Sequence, residues 1–188
     1  MGKIIWIDTE TTGLNPGKNA MIQLSGIIDI DGEIIELFNF FLRPHKGAVI
    51  DQGALDVNGR TVTEMQGFPQ ASMAMLNFKQ VLSKYVDKFD KADKFVVAGY
   101  KTDFDTGFLR ATFSRLGDKY YGSWFFNAQI DVLSCVGEEI VNGNLRLENY
   151  KLATVCGHYG IPIENAHNSM VDIEATRNLY YLLRDKKR

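Results

Sequence analysis

A chain of 188 residues, 45% hydrophobic and 23% charged, suffices for one domain with a sizeable core and has a globular rather than a disordered or fibrous composition. The formal net charge of −2 excludes a broadly basic surface for non-specific nucleic-acid binding, but leaves room for a local patch or for metal ions that offset phosphate charge. Cys135 and Cys156 are too few and too far apart for a disulfide framework or a zinc cluster and read as buried reduced thiols. No apolar run approaches the roughly 20 residues of a membrane span, and no leader pattern opens the chain, so a cytoplasmic location without membrane contact is expected.

The run Lys3-Ile4-Ile5-Trp6-Ile7 fits a strand covered on both faces. Asp8 and Glu10 follow it two residues apart, so an extended chain aims both at one point, and Thr11, Thr12 and Gly13 then turn the chain. Residues 21–30 and 34–42 are β-rich runs joined by Asp31-Gly32-Glu33, a hairpin signal. Residues 44–67 carry Pro, Gly, Asp and Asn in quick succession, which predicts an irregular excursion with at most a short helical turn. After Pro69, the spacing of Met73, Leu76, Val81, Leu82, Tyr85, Val86 and Phe89 predicts a long amphipathic helix. A short strand over 94–98 leads into a helix over 104–116. Further on, 124–130 reads as a strand, 132–141 and 149–158 as helices, and Asn168 or Ser169 as the cap of a last helix reaching Arg184. Strands first, then strands alternating with helices, imply an α/β mixed sheet flanked by helices. One domain over residues 1–185 is expected, with a charged tail at 186–188.

Two carboxylates as close as Asp8 and Glu10 repel unless protonated or bridged by a cation, and hard oxygen ligands suit Mg²⁺ or Mn²⁺. A solvated turn with two surface acids is the alternative. Asp105 stands where a strand gives way to a helix and on that segment alone reads first as a plain N-cap, with Asp103 competing as the functional acid. His167 lies just before the last helix and Asp172 in its first turns, where the helix dipole alone would favour an acid.

Taken in order, Asp8-Thr9-Glu10-Thr11-Thr12-Gly13-Leu14, Phe104-Asp105-Thr106-Gly107-Phe108-Leu109 and His167 to Asp172 resemble the DEDDh family of 3′-to-5′ exonucleases over nearly the whole chain. The family includes the proofreading epsilon subunit of bacterial replicative polymerases, RNase T and oligoribonuclease. The resemblance implies an RNase H-like mixed five-stranded sheet and hydrolysis of phosphodiesters at single-stranded DNA or RNA 3′ ends with two Mg²⁺ or Mn²⁺ ions. By the family pattern Asp8 bridges both ions, Glu10 and Asp172 hold the one that binds the attacking water, Asp105 reaches the other through water, and His167 is the general base. It also implies nucleotide contacts at Thr11, Thr12 and Leu14. Phe104 and Phe108 read as core. Lys101, where many members carry Asn, is a candidate contact to phosphate or strand, and Asn58 stands where a His is common. The resemblance fits either a free-standing enzyme or one working beside a polymerase partner. Two other classes remain open at this point: a catalytically quiet nucleic-acid-binding or polymerase-docking module, and a hydrolase of small phosphate esters.

Overall fold

The computed structural model describes residues 2–163 and 169–185. His167 and the tail 186–188 lie outside them. The chain opens with β1 (Lys3–Thr11), β2 (Met21–Ile30) and β3 (Glu33–Phe41), an antiparallel meander. Asp31 and Gly32 both take positive φ, 54° and 90°, the conformation that a two-residue hairpin loop demands. The excursion contains two short helices rather than one turn, α1 (Gln52–Asn58) and α2 (Val62–Gln66). Gly59 ends α1 in the left-handed region (φ 68°), its N–H bonded to Leu55 O, and Thr61 caps α2 through Glu64 N. These closures are local chemistry that a scan for long apolar periodicity passes over.

The remaining elements are α3 (Ala71–Ser83), β4 (Phe95–Gly99), α4 (Thr102–Arg115), α5 (Tyr121–Trp124), β5 (Phe125–Asp131), α6 (Val132–Val141), α7 (Leu152–His158) and α8 (Ser169–Asp185). The sheet order is β3-β2-β1-β4-β5, with β4 parallel to both β1 and β5. β1 is therefore central, and successive side chains feed opposite layers. Ile5 and Ile7 join the core beneath α3 and α4, while Trp6 joins the core beneath α6, α7 and α8.

In α3 the buried stripe is Ala74, Met75, Phe78, Val81 and Leu82, which keeps the expected Val81 and Leu82 but takes Ala74, Met75 and Phe78 in place of Met73 and Leu76. Met73 and Leu76 are about half exposed, and Phe89, at 84% exposure, lies beyond the helix end. Two helical stripes coexist in this segment. The one carrying Phe78 wins because its ring packs against Phe38 and Phe125.

α8 is fixed by a buried acid on the sheet. Asp29 is fully buried and accepts from Trp6 Nε1 (3.3 Å), Arg177 Nε (2.8 Å) and Tyr181 OH (3.0 Å). Removing one partner of such a pair leaves an uncompensated buried charge, so the interaction fixes helix register even where its net contribution to stability is small.

The choice of stripe in α3 predicts a contrast measurable by urea denaturation. Phe78→Ala is expected to cost about 3–5 kcal/mol, and Met73→Ala no more than about 0.5 kcal/mol. Equal costs would return the buried face to the Met73 stripe.

Candidate active site

β1 continues through Thr11, so Asp8 and Glu10 lie within the central strand rather than beyond it. They face the α8 side with Trp6, whereas Thr9 faces the α4 side with Ile7, by the alternation that divides the two cores. Across the antiparallel pair, Asp8 stands opposite Ser25 and Glu10 opposite Gln23. Ser25 and Gln23 reach the start of α8. Ser25 Oγ shares a 2.7 Å hydrogen bond with Ser169 Oγ, and Gln23 Nε2 donates to the same oxygen at 3.0 Å. Ser169 is one helical turn before Asp172, so these neutral contacts seat Asp172 against the strand that carries the acidic pair.

Asp105 comes from the other layer. It is not the N-cap of α4: Lys101 holds that position, in the left-handed region at φ 65° and ψ 51°. Asp105 lies in the first turn, almost fully buried, and its Oδ1 accepts from Thr9 N (2.9 Å) and Thr9 Oγ1 (2.8 Å). Asp103, its competitor in the sequence, is exposed. Gly99 leaves space at the end of β4, where a Cβ would come within 3.6 Å of Asp105 Oδ2 and 3.1 Å of Ile7 O. Thr9 and Gly99 escaped the sequence reading because their roles exist only once α4 packs against β1.

The four acids sense one another. Burial holds Asp8 well above the usual carboxylate range, and the charges of Asp105, Glu10 and Asp172 raise it further. Burial pushes Asp105 up to about 7, opposed by its bonds from Thr9 and reinforced by the charge of Glu10. Among the described residues, no set of three or more His, Cys, Asp and Glu side chains stands ready-made as a cage for one ion. The fit to a cation lies in charge and donor type: mutually repelling hard-oxygen donors are the partners that Mg²⁺ or Mn²⁺ favours.

Beside Glu10 runs a mostly apolar groove of about 480 Å³, lined by Thr11, Gly13, Leu14, Ala54, Val57, Asn58 and Phe104 among others, within the size range of small-ligand sites. Leu14 is 82% exposed on its rim. Phe104, expected as core, belongs partly to this wall while its ring packs on Phe108, which is core. Thr11 lies in the groove with its hydroxyl bonded to Gly13 O, and Asn58 Nδ2 donates to Thr11 O at 3.1 Å. Thr12 does not line it. Fully buried, Thr12 donates through Oγ1 to Val49 O and accepts from Ala20 N, acting as a staple between loops. Asn19 extends the staple, bonding Thr12 O, Val49 O and Asp51 Oδ2. A Cβ on Gly13 would collide with Asp51 and Asn19. Lys101 is exposed, and its N–H donates to Asp131 Oδ1 at 2.9 Å.

The raised acids set a pH signature for the protein free of divalent ions. An acid whose folded pKa lies above its unfolded value holds its proton longer in the native state, so stability falls as pH rises from about 4 to about 7. Asp105→Asn cannot ionise yet still offers Thr9 an acceptor oxygen. In urea titrations it is expected to flatten that fall and to exceed the wild type above pH 7 by on the order of 1–3 kcal/mol. Parallel pH profiles would place the titration elsewhere.

Comparison with known proteins agrees with this architecture. The family model described as Exonuclease (RNase_T) matches residues 5–180. A PolC-type DNA polymerase III from Pediococcus pentosaceus is 26% identical over 181 residues, which are 96% of this chain and 11% of the polymerase. The Halalkalibacterium halodurans counterpart is 28% identical over 179 residues, 95% of this chain and 11% of that one. Among solved structures, the zinc-bound Escherichia coli exonuclease I–ssDNA complex superposes with a TM-score of 0.82 at 20% identity, covering 99% of this chain and 41% of exonuclease I. That likeness shows the shared RNase H-like fold. The chain thus spans about a tenth of the polymerases it matches and under half of exonuclease I. By the match across nearly its whole length, it belongs to the RNase_T exonuclease family.

Proposed function

We propose that this domain is a 3′-to-5′ exonuclease that removes nucleotides from single-stranded ends, using two Mg²⁺ or Mn²⁺ ions held by Asp8, Glu10, Asp105 and Asp172. The observation that carries the reading is the position of four mutually repelling carboxylates beside an apolar groove rimmed by an exposed Leu14. The ions, when bound, neutralise the phosphate and lower the cost of forming hydroxide from water. The chain's own groups do the rest. The groove holds the terminal base and sugar through Thr11, Leu14 and Phe104, Lys101 reaches toward the strand, and Thr9 keeps Asp105 aimed at the cluster. His167 accepts a proton from the attacking water, a task suited to a side chain with an ordinary pKa near 6.5.

The relatives that are DNA polymerases and the exonuclease I complexes with ssDNA make single-stranded DNA the first substrate to test and a polymerase the partner to seek. No helix among the described residues is long and apolar enough to cross a membrane. We place the activity in the cytoplasm, in a single domain over residues 1–185.

Incubation with Mg²⁺ or Mn²⁺ and 5′-labelled single-stranded DNA or RNA is expected to give a ladder of shortened products. Ala at Asp8, Glu10, Asp105 or Asp172 reduces it to background, and His167→Ala slows turnover by about 100-fold or more. A metal-dependent rise in melting temperature persists in His167→Ala and is lost in Asp8→Ala. Binding of the oligonucleotide without products in either metal would falsify the enzymatic reading.

A further inference from the structure

A second cleft, of about 110 Å³, lies between the start of β2, the chain after β3 and the C-terminal half of α4, and is lined by Arg43, His45, Thr112 and Arg115 among others. At about 30 Å³ per water it has room for several waters or for a phosphate group. Both arginines are held by neutral acceptors. Arg43 Nε donates to Phe68 O at 3.1 Å, and Arg115 Nη2 donates to Pro16 O. Among the described residues neither guanidinium has a carboxylate within ion-pair reach, although the chain carries 23 acidic residues against 21 basic ones. His45 donates from Nδ1 to Lys46 O at 3.2 Å, while its Nε2 is buried and has no partner there. Two pre-oriented, uncompensated guanidiniums are the chemistry of an anion site, and arginine forks match phosphate oxygens two at a time; His45 Nε2 joins them as a donor when the ring carries both protons.

The cleft continues the face that holds the groove. Phe104 in the groove wall and Arg115 in the cleft share α4, about 16 Å apart at 1.5 Å per residue. The loop that carries Leu14 spans the interval, since a Cβ on Gly107 would sit 3.7 Å from Pro16 and Arg115 bonds Pro16 O. Resting on the exonuclease reading above, we propose that Arg43, His45 and Arg115 form a phosphate-binding subsite for the single strand upstream of the end held in the groove. A stacked strand covers the distance in about five nucleotides at about 3.4 Å each, so substrates shorter than this do not reach it.

The test compares a labelled dinucleotide with a labelled dodecanucleotide in the wild type and in Arg43→Gln/Arg115→Gln. The double variant is expected to raise KM for the dodecanucleotide about tenfold and to reduce the salt dependence by about one unit of slope per lost contact. Its kcat and its KM for the dinucleotide should stay within about twofold of wild type, which also reports correct folding. The Arg43→Lys/Arg115→Lys protein keeps the charge and recovers the salt slope, but loses the forked geometry and part of the affinity. Unchanged dependence on substrate length in the Gln variant overturns the proposal. Inorganic phosphate should compete with the dodecanucleotide in the wild type and not in the variant. Competition combined with unchanged length dependence would make the cleft a site for free phosphate and sink the strand assignment. Should the wild type cleave neither substrate, the exonuclease reading fails by itself. Fluorescence anisotropy of the dodecanucleotide without divalent ions then decides the subsite: tenfold weaker binding by the variant upholds it, and equal binding overturns it.

Discussion

Repulsion among Asp8, Glu10, Asp105 and Asp172 is the constraint around which the rest of the molecule is arranged. Burial and mutual proximity raise both Asp8 and Asp105, so the native state holds protons that the unfolded chain releases at lower pH, at a cost in stability. The fold carries that cost because its cohesion comes from elsewhere. Two apolar layers sandwich the sheet, and the Asp29 cluster locks α8 to β2 and Trp6. The site uses neutral donors instead. Thr9 holds Asp105, and the hydroxyl and amide of Ser25 and Gln23 hold the start of α8. Such donors orient oxygen ligands without neutralising them, leaving the negative charge available to a cation.

The strand geometry explains how acids from two layers meet. Because β1 sends alternate side chains to opposite faces, Asp8 and Glu10 face α8, while Thr9 between them reaches the α4 layer. A single strand thereby coordinates both helices. The groove wall depends on a different device, the Thr12–Asn19–Asp51 staple, which ties the turn after β1 to the entrance of α1. Its tightness is why residue 13 must lack a side chain.

What the sequence discloses follows the range of the forces involved. The Asp31-Gly32 hairpin and the buried β1 are legible because neighbours along the chain decide them. So are the ordered carboxylates, since residue type and spacing carry their chemistry. The face of α3 is legible at Val81 and Leu82 but not in its first half: Met73 and Phe78 compete there, and only contact with Phe38 and Phe125 from the sheet selects one. Thr12 and Leu14 show the same limit at shorter range. Both sit in the turn after the acidic pair, yet one is spent inside the loop and the other stands at the groove rim, according to where residues 19, 20 and 49 pass.

The choice between Asp103 and Asp105 rests on Lys101. Its left-handed backbone costs an ordinary L-residue roughly 1–2 kcal/mol, which Asn would tolerate better. Hydrogen bonds compensate for it: Lys101 N–H donates to Asp131 Oδ1, which also accepts from Leu133 N to cap α6, and Thr102 Oγ1 donates to Ile130 O. These bonds tie the start of α4 to the end of β5. A regular start one residue later would rotate the first turn by about 100° and carry Asp105 away from Thr9. The strained residue thus sets the phase of the helix that delivers the buried acid, and its own side chain is exposed. A local rule is broken at a position that helps to decide where one carboxylate of the cluster lies.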